Sequence, residues 1–448
     1  MRLVRPFALL LLLGVAASPL RAADPAFPLK DGDLWVMAGD SITAQHLHSN
    51  YFEAFCYARY PKMRFAFRNS GVGGHTIPST LARFEYDIAA WKPTVVSVEL
   101  GMNDAGGTKT EAFTKNMVTM IERIRKSGAR PVIFTASPVN DGTLSTKLAG
   151  RNLTLDEYAT ALKALSEKEK LPFADQFHAC LDPWGKNKPR ERLQIAIAEM
   201  KQVAGDDTLA GVEQLRAFLA AQEKNPPPKG ISLLGDPVHP GAPGQLMMAA
   251  ALLKELGADG FVSGATVDVA AGKADAKGCA VTDVKAGPTG VAFERLDESL
   301  PFPIADSARS ILPLAPDVLA LSQYTLAIKG LDAGDYTLKI GGGLCGKFTA
   351  KQLANGINLT SLAPTALAKD ANPITAQMRA VLKAVEEKEG IVGSWRSLSL
   401  KAHAKDADAK LKEDLAALTT KVEAADAKIR DAAKPQKLKF EIAPAAAK

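Results

Sequence analysis

A serine and a histidine that could form a nucleophile–base pair lie far apart in this chain. Ser41 follows an apolar run in the segment Gly39–Ser41, and Asp236 precedes His239 by three positions in a proline-containing loop. A helix that starts at such a serine offers backbone N–H groups to developing negative charge. A carboxylate beside a histidine can orient the imidazole as a base. Taken singly, each segment also fits an ordinary capped or proline-rich turn.

Two further segments could donate hydrogen bonds to the same substrate. The glycine-rich run Asn69–Thr76 contains Gly74, where the missing side chain lets a backbone N–H approach a substrate oxygen. The run Gly101–Asp104 contains Asn103, whose side-chain amide is a second donor. A tight strand-to-helix turn and a turn-forming asparagine are the alternatives.

In order, spacing and placement after predicted strands, these four segments resemble the GDSL esterases, also called SGNH hydrolases. The resemblance implies that Ser41 is the nucleophile and that its backbone N–H joins Gly74 and Asn103 in an oxyanion hole. It implies that His239 is the general base and that Asp236 orients it. No metal or organic cofactor is required.

The resemblance extends over about Asp33 to Leu256, and two positions within it depart from the family pattern. The last motif of the family commonly has a glycine directly after the aspartate, and Pro237 replaces that glycine here. His75 stands where related sequences often carry aspartate. We assign His75 to substrate binding. These departures leave every implied catalytic group in place.

The same region alternates short apolar strands with amphipathic helical stretches, which predicts a parallel sheet. We expect a flavodoxin-like three-layer α/β/α sandwich, with helices over Glu191–Glu223 and Gln245–Leu256 and a break at Asn225–Pro228. The predicted strands are Leu34–Ala38, Arg64–Asn69, Thr94–Leu100, Pro131–Thr135 and a short one around Pro172–Ala174.

Beyond this region the pattern changes, and we divide the chain into a catalytic domain (24–260), a β-rich module (261–365) and a helical tail (366–448). Tyr324–Ile328 and Tyr336–Ile340 are predicted to pair as a hairpin. The tail should dock onto the β module, so a chain ending near Gly260 should keep activity on a small ester. An α-hairpin core and a coiled-coil partner surface both fit the tail's apolar stripe, which comprises Leu411, Leu415, Leu418, Val422, Ala425 and Ile429.

Residues 1–23 predict a secretory signal peptide. Arg2 and Arg5 precede the apolar run Phe7–Val15, and small residues follow up to Ala23. A retained membrane anchor is the alternative. No later run reaches the roughly 18 apolar residues of a membrane span. We therefore expect a secreted or periplasmic protein without stable membrane insertion.

Composition excludes other classes of protein. Of 448 residues 47% are hydrophobic and 23% are charged, which excludes collagen-like and disordered chains. The net charge of +6 falls to about +3 without the signal peptide, and no basic run is present, so no nucleic-acid partner is expected.

The cysteines, His46 and His48 lie outside these motifs. A Cys279–Cys345 disulfide is favoured if bridges form, but unpaired thiols fit equally well. His46 and His48 are interpreted as surface or rim histidines rather than as a metal-binding pair.

The resulting functional prediction is a secreted serine esterase that acts through an acyl-enzyme. Its expected substrate is an acylated or acetylated carbohydrate, either a small molecule or a polysaccharide. A lipase- or thioesterase-type acyl hydrolase is the first alternative. A non-catalytic carbohydrate-binding protein on an esterase scaffold is the second.

Overall fold

The computed structural model describes residues 27–139, 147–186, 190–224, 236–313, 315–362 and 372–445. The predicted signal peptide and the predicted break at Asn225–Pro228 lie outside the described residues.

A five-stranded parallel sheet forms the centre of the N-terminal region. All five predicted strands are present. Their bounds are β1 Leu34–Gly39, β2 Ala66–Gly71, β3 Val95–Glu99, β4 Arg130–Phe134 and β5 Phe173–Ala174. Their order in the sheet is β2-β1-β3-β4-β5, which is the flavodoxin-like order, so the predicted fold class is confirmed.

The sheet is buried on both faces because successive side chains of a strand point in opposite directions. In β1, Trp35 and Met37 belong to one apolar cluster, whereas Val36 and Ala38 belong to the other. Both clusters are completed by helices, which gives the three layers. The helices of this region are α1 Ser41–Ala44, α2 His48–Arg59, α3 Ile77–Ala82, α4 Thr110–Lys126, α5 Arg151–Glu169, α6 Gln176–Lys186, α7 Arg190–Val203, α8 Val212–Lys224 and α9 Ala242–Glu255.

The predicted continuous helical stretch Glu191–Glu223 is two helices, α7 and α8. Helix α7 ends at Val203, and Asp206 accepts a hydrogen bond from the Thr208 backbone N–H at 2.9 Å in the turn between the two helices. Such a local carboxylate-to-backbone bond competes with helix continuation. The last predicted helix of the region, Gln245–Leu256, is confirmed as α9.

The β module is a pair of sheets that share one apolar core. The strands are β6 Phe261–Asp268, β7 Lys273–Lys277, β8 Cys279–Gly287, β9 Gly290–Asp297, β10 Gln323–Lys329, β11 Asp335–Ile340, β12 Gly343–Thr349, β13 Ile357–Asn358 and β14 Leu438–Pro444. One sheet has the order β13-β10-β6-β7 and the other β12-β11-β14-β9-β8. Helices α10 Pro316–Ala320 and α11 Ala350–Asn355 lie in the connections.

The predicted pairing of Tyr324–Ile328 with Tyr336–Ile340 is wrong. These segments are β10 and β11, which lie in different sheets. Strand β10 is bordered by β6 and β13, and β11 by β12 and β14, so neither has a free edge for the other. Their buried residues, such as Leu326 and Leu338, meet across the shared core instead. Apolar alternation identified both strands but could not distinguish neighbours in one sheet from opposite sheets.

The tail forms an antiparallel pair of helices, α12 Pro373–Ala402 and α13 Ala409–Ala432, which we call the C-terminal hairpin. Contrary to the prediction, it packs mainly on the α/β region, and Ile374 at the start of α12 joins the core of the β module. Trp395 stacks on Trp91 with ring centroids 3.6 Å apart. After the hairpin, the chain returns to the β module as strand β14, which the sequence analysis did not predict.

Buried charges join the C-terminal hairpin to the α/β region. Lys388 of α12 contacts Glu53 of α2 at 2.8 Å, and Asp426 of α13 forms a two-bond pair with Arg68 of β2 at 2.8 and 3.0 Å. Removing one partner of such a pair leaves an uncompensated buried charge. A chain ending near Gly260 would lack this interface. The reason for expecting such a chain to remain active, a tail docked on the β module, therefore does not hold.

The structure also decides the cysteine and histidine interpretations. All four thiols are unpaired, so the favoured Cys279–Cys345 disulfide is not formed; Cys345 instead donates to the Gly343 carbonyl at 3.3 Å. His48 is not a surface or rim residue, because only 3% of it is exposed. Within the described ranges, no helix is both long and apolar enough to cross a membrane.

Candidate active site

Ser41 stands at the end of the central strand β1, as the first residue of α1. Asp40 caps this helix, since its carboxylate accepts the Ile42 backbone N–H at 2.9 Å. Burial raises the pKa of Asp40 to about 7. The short helix packs so tightly on β2 that a Cβ at Gly71 would clash with the backbone of the Thr43–Ala44 segment. Close packing therefore requires glycine at the end of β2.

His239 and Asp236 complete a hydrogen-bonded chain with Ser41. His239 Nε2 lies 2.8 Å from Ser41 Oγ, and His239 Nδ1 lies 2.8 Å from Asp236 Oδ2. All three side chains were predicted from the sequence, and the fold brings them together across 198 residues. If Nδ1 carries the proton held by Asp236, Nε2 is free to accept the proton of the serine.

Local backbone bonds hold Asp236 in the ionised state. Burial alone would raise its pKa, but the backbone N–H groups of His239 and Val238 and the imidazole outweigh burial, so the pKa lies below its ordinary value. The backbone bonds to Asp236 Oδ1 are 2.7 Å from His239 and 2.8 Å from Val238. One carboxylate thus fixes both the turn and the ring that it carries.

The buried side chain of Gln245 anchors the other end of the Asp236–Pro240 loop, and no sequence motif pointed to it. Gln245 of α9 donates to the Pro240 carbonyl at 3.2 Å and accepts the His48 backbone N–H at 3.0 Å. The His48 ring contacts Glu99 at 2.7 Å. Burial disfavours its charged form, but Glu99 outweighs burial and raises the pKa of His48.

The Gly71–His75 loop, which we call the glycine loop, borders Ser41 on the other side. Gly73 lies close to the serine, since a Cβ built on Gly73 would be 3.9 Å from Ser41 Cβ. Gly74 has a φ of +75°, which glycine adopts without strain. Asn103, after β3, donates from Nδ2 to the His75 carbonyl at 3.0 Å. Asn103 is thereby fixed against the glycine loop, with a second N–H on the same nitrogen.

His75 is held as a neutral ring. Its Nδ1 accepts the Nε–H of Arg83 at 3.1 Å, so the proton of the neutral imidazole stays on Nε2. Burial, and then the neighbouring Arg83 charge, lower the pKa of His75. The ring therefore presents an N–H donor beside Gly74.

Arg83 and Asp87 underlie the glycine loop, and no motif in the sequence pointed to them. Both are almost completely buried and form an ion pair with each other. Arg83 also donates to the Ser70 carbonyl at 2.7 Å and to the Gly39 carbonyl at 3.3 Å. Arg83 therefore links the ends of β1 and β2, just before Ser41 and the glycine loop.

The surroundings of Ser41 are open and polar. Gly73, Gly74 and Asp236 are exposed, whereas Ser41 and His239 are half-buried. No group of three or more His, Cys, Asp or Glu side chains in the described parts of the chain is arranged to hold a metal ion.

Comparison with known proteins links this site to one family. Residues 37–193 match the sequence model of the GDSL-like lipase/acylhydrolase family. An acetylxylan esterase of Geobacillus stearothermophilus is 22% identical over 215 residues, which are 46% of this chain and 79% of that protein. The uncharacterized lipoprotein YqeF of Bacillus subtilis (strain 168) is 32% identical over 81 residues, which are 16% of this chain; the match spans only 33% of that lipoprotein.

One solved structure shares the whole architecture. The gut microbial diltiazem-metabolizing enzyme BT4096 matches 95% of this chain and 100% of its own, with a TM-score of 0.69 and 22% identity. The β module and the C-terminal hairpin therefore belong to a fold that recurs as a unit with the α/β region.

Proposed function

Because the chain belongs to the GDSL-like lipase/acylhydrolase family and is an ester-bond hydrolase, we propose that it is a serine esterase acting on acetylated or otherwise acylated carbohydrates. The observation that carries this proposal is the contact of 2.8 Å between Ser41 Oγ and His239 Nε2, with Asp236 behind the ring. We propose residues 24–260 as the catalytic domain, 261–365 together with strand β14 as an accessory module, and the rest of 366–448 as the tail.

In the proposed reaction, Ser41 Oγ attacks the ester carbonyl carbon while His239 Nε2 takes its proton. The bond to the alcohol then breaks, and Nε2 returns the proton to the leaving oxygen. Water attacks the acyl-enzyme with His239 again as the base, which releases the acid and restores Ser41. Asp236 stabilises the imidazolium at both stages, because the pKa of Asp236 is lowered and its carboxylate stays ionised.

Three donors are proposed to stabilise the negative charge on the carbonyl oxygen. They are the backbone N–H groups of Ser41 and Gly74 and the side-chain amide of Asn103. One N–H of Asn103 is used on the His75 carbonyl, which leaves the second for the oxyanion. Donors that are fixed before the reaction begins stabilise the transition state without reorganisation.

The open polar site supports a short acyl group on a hydrophilic alcohol. Gly73, Gly74 and Asp236 around Ser41 are exposed, so a hydrophilic alcohol group beside the reacting ester would stay in contact with water. His75 supplies an N–H donor of the kind that binds a hydroxyl or carbonyl oxygen. The acetylxylan esterase relative acts on such a substrate, as its name states.

A comparison of substrates tests this proposal. The purified chain should hydrolyse 4-nitrophenyl acetate and release acetate from acetylated xylooligosaccharides, and kcat/KM should fall steeply for 4-nitrophenyl octanoate and palmitate. Diltiazem is a further substrate to compare, because the structural neighbour is named for it. Preference for long acyl chains would overturn the carbohydrate assignment, and higher kcat/KM on diltiazem than on any acetylated sugar would replace it.

We further propose that the chain is exported. The support is the charged, apolar and small-residue order of residues 1–23. Mass spectrometry of the protein recovered outside the cytoplasm should find an N-terminus near Ala23 or Asp24. Recovery of the intact N-terminus only in the cytoplasm would contradict export.

A further inference from the structure

One edge of the parallel sheet is covered by cationic side chains from the C-terminal hairpin. Strand β2 is one of the two edge strands, and the carbonyls of its alternate residues point away from β1. Arg430 donates to the carbonyl of Phe65 at 3.1 Å and Lys388 to that of Phe67 at 2.8 Å. The next outward carbonyls, those of Asn69 and Gly71, accept from one further residue, Arg396.

Arg396 makes three hydrogen bonds where β2 passes into the glycine loop. Its guanidinium donates to the Asn69 carbonyl at 2.6 Å, to the Gly71 carbonyl at 2.9 Å and to Asp87 Oδ1 at 2.8 Å. About a quarter of its side chain is exposed, whereas Asp87 is fully buried. Arg396 therefore binds both the backbone at the start of the glycine loop and the buried carboxylate of Asp87.

Asp87 connects Arg396, through Arg83, to the far end of the glycine loop. Its Oδ2 accepts the Ser70 hydroxyl at 2.8 Å and pairs with Arg83. Arg83 in turn donates to His75 Nδ1 at 3.1 Å. Gly74 is thus flanked by two residues, Gly71 and His75, that are held through one Arg396–Asp87–Arg83 network.

We propose that Arg396 is a positioning residue for the oxyanion hole. It fixes the glycine loop, and with it the Gly74 backbone N–H, relative to Ser41, although it belongs to a hairpin more than three hundred residues downstream. This inference rests on the proposed function, because it assigns Arg396 to the same reaction. Displacement of an oxyanion donor by about 1 Å weakens transition-state stabilisation far more than substrate binding.

The hairpin supplies a matched control in Arg430. Both arginines donate to outward carbonyls of the same edge, but the Phe65 carbonyl lies about 20 Å along the strand from Gly71. A purely structural role of edge capping predicts similar consequences for Arg396→Ala and Arg430→Ala. A positioning role predicts that only Arg396→Ala alters catalysis.

The experiment compares kcat and KM on 4-nitrophenyl acetate for the wild type, Arg396→Ala, Arg396→Lys, Arg430→Ala and Ser41→Ala, well below each melting temperature. In Arg396→Ala, kcat should fall ~10–100-fold with KM within ~3-fold, and Arg430→Ala should stay within ~3-fold of wild type. Arg396→Lys should be intermediate, because a lysine can reach one carbonyl but cannot bridge three acceptors. Inactivation by diethyl 4-nitrophenyl phosphate, which places an oxygen in the oxyanion hole, should slow in parallel with kcat.

Equal kcat values for Arg396→Ala and Arg430→Ala, with Ser41→Ala inactive, would overturn the role of Arg396 and leave the proposed function intact. Wild-type turnover by Ser41→Ala would overturn the proposed function instead. If Arg396→Ala does not fold, Arg396→Lys decides the matter, and an unchanged kcat in that folded variant contradicts the proposal.

Discussion

The two loops that face Ser41 are held in place by different means. The loop from Asp236 to Pro240 is partly exposed and secured by bonds within a few residues, chiefly those from the backbone to Asp236. The glycine loop rests on a buried network that reaches Arg396 of the C-terminal hairpin. The first loop is therefore held mainly by bonds between neighbouring residues, whereas the second depends on a distant part of the chain.

This difference separates two ways of damaging the site. Substitutions at the Asp236–Pro240 loop act on the base and its orientation, because the Asp236 carboxylate holds both the turn and the His239 ring. Substitutions at the interface with the C-terminal hairpin act first on stability, and reach the chemistry only where a side chain touches the glycine loop.

Ser41→Ala should have the largest effect, because both loops converge on this hydroxyl. We expect kcat on 4-nitrophenyl acetate to fall by at least ~10³-fold, since nucleophile, base and orienting carboxylate act as a unit. Circular dichroism and the melting temperature should remain those of the wild type. Turnover close to that of the wild type would show that Ser41 is not the nucleophile and that the two loops do not serve catalysis at this hydroxyl.

Trp395→Ala tests whether the C-terminal hairpin acts mainly on stability away from the glycine loop. Its indole is buried against Trp91 and donates to Thr419 at 2.8 Å, so its removal should lower the free energy of unfolding by about 3–5 kcal/mol. Denaturant unfolding measures this loss.

The matched control for Trp395→Ala is Leu400→Ala on the same helix, where the side chain is 53% exposed. It should change stability by no more than ~0.5 kcal/mol. A comparable loss of stability in both variants would mean that the packing of α12 on the α/β region is not what holds the hairpin.

Asn103→Ala should act on the glycine-loop side alone. We expect kcat to fall ~10²-fold with a smaller change in KM, because its amide is needed mainly when negative charge develops. The variant also loses the bond to the His75 carbonyl, so a double variant with Arg396→Ala should show less than additive losses. A rise in KM alone would make Asn103 a substrate-binding residue.

Asp40→Asn should give the smallest effect, a pH-dependent change in melting temperature. Burial raises the pKa of folded Asp40 to about 7, above the unfolded value near 4, so its contribution to stability is present below about pH 4 and lost as pH rises towards 7. The amide keeps an acceptor for the Ile42 N–H. Relative to wild type, Asp40→Asn should therefore gain a few degrees at pH 8 compared with pH 5. A difference that is independent of pH would contradict this account.

The parallel sheet, the ends of its strands and the residues that meet there all follow from local sequence patterns. Alternating apolar strands and helices place Ser41 and Asn103 at one edge of any such sheet, and the Asp236–His239 spacing orients its own ring. These features depend on a few neighbouring residues or on a rule that holds for all parallel sheets, so they could be predicted without knowing which helix packs where.

The packing of the C-terminal third on this framework depends instead on contacts between distant segments. Strands β10 and β11 have the pattern of a hairpin but lie in different sheets, because their neighbours are drawn from distant segments. His48, Arg83 and Arg396 resemble ordinary surface residues until their buried partners are known. A buried charge needs a partner of opposite charge or a free carbonyl, and which one it finds depends on long-range packing that local sequence patterns do not encode.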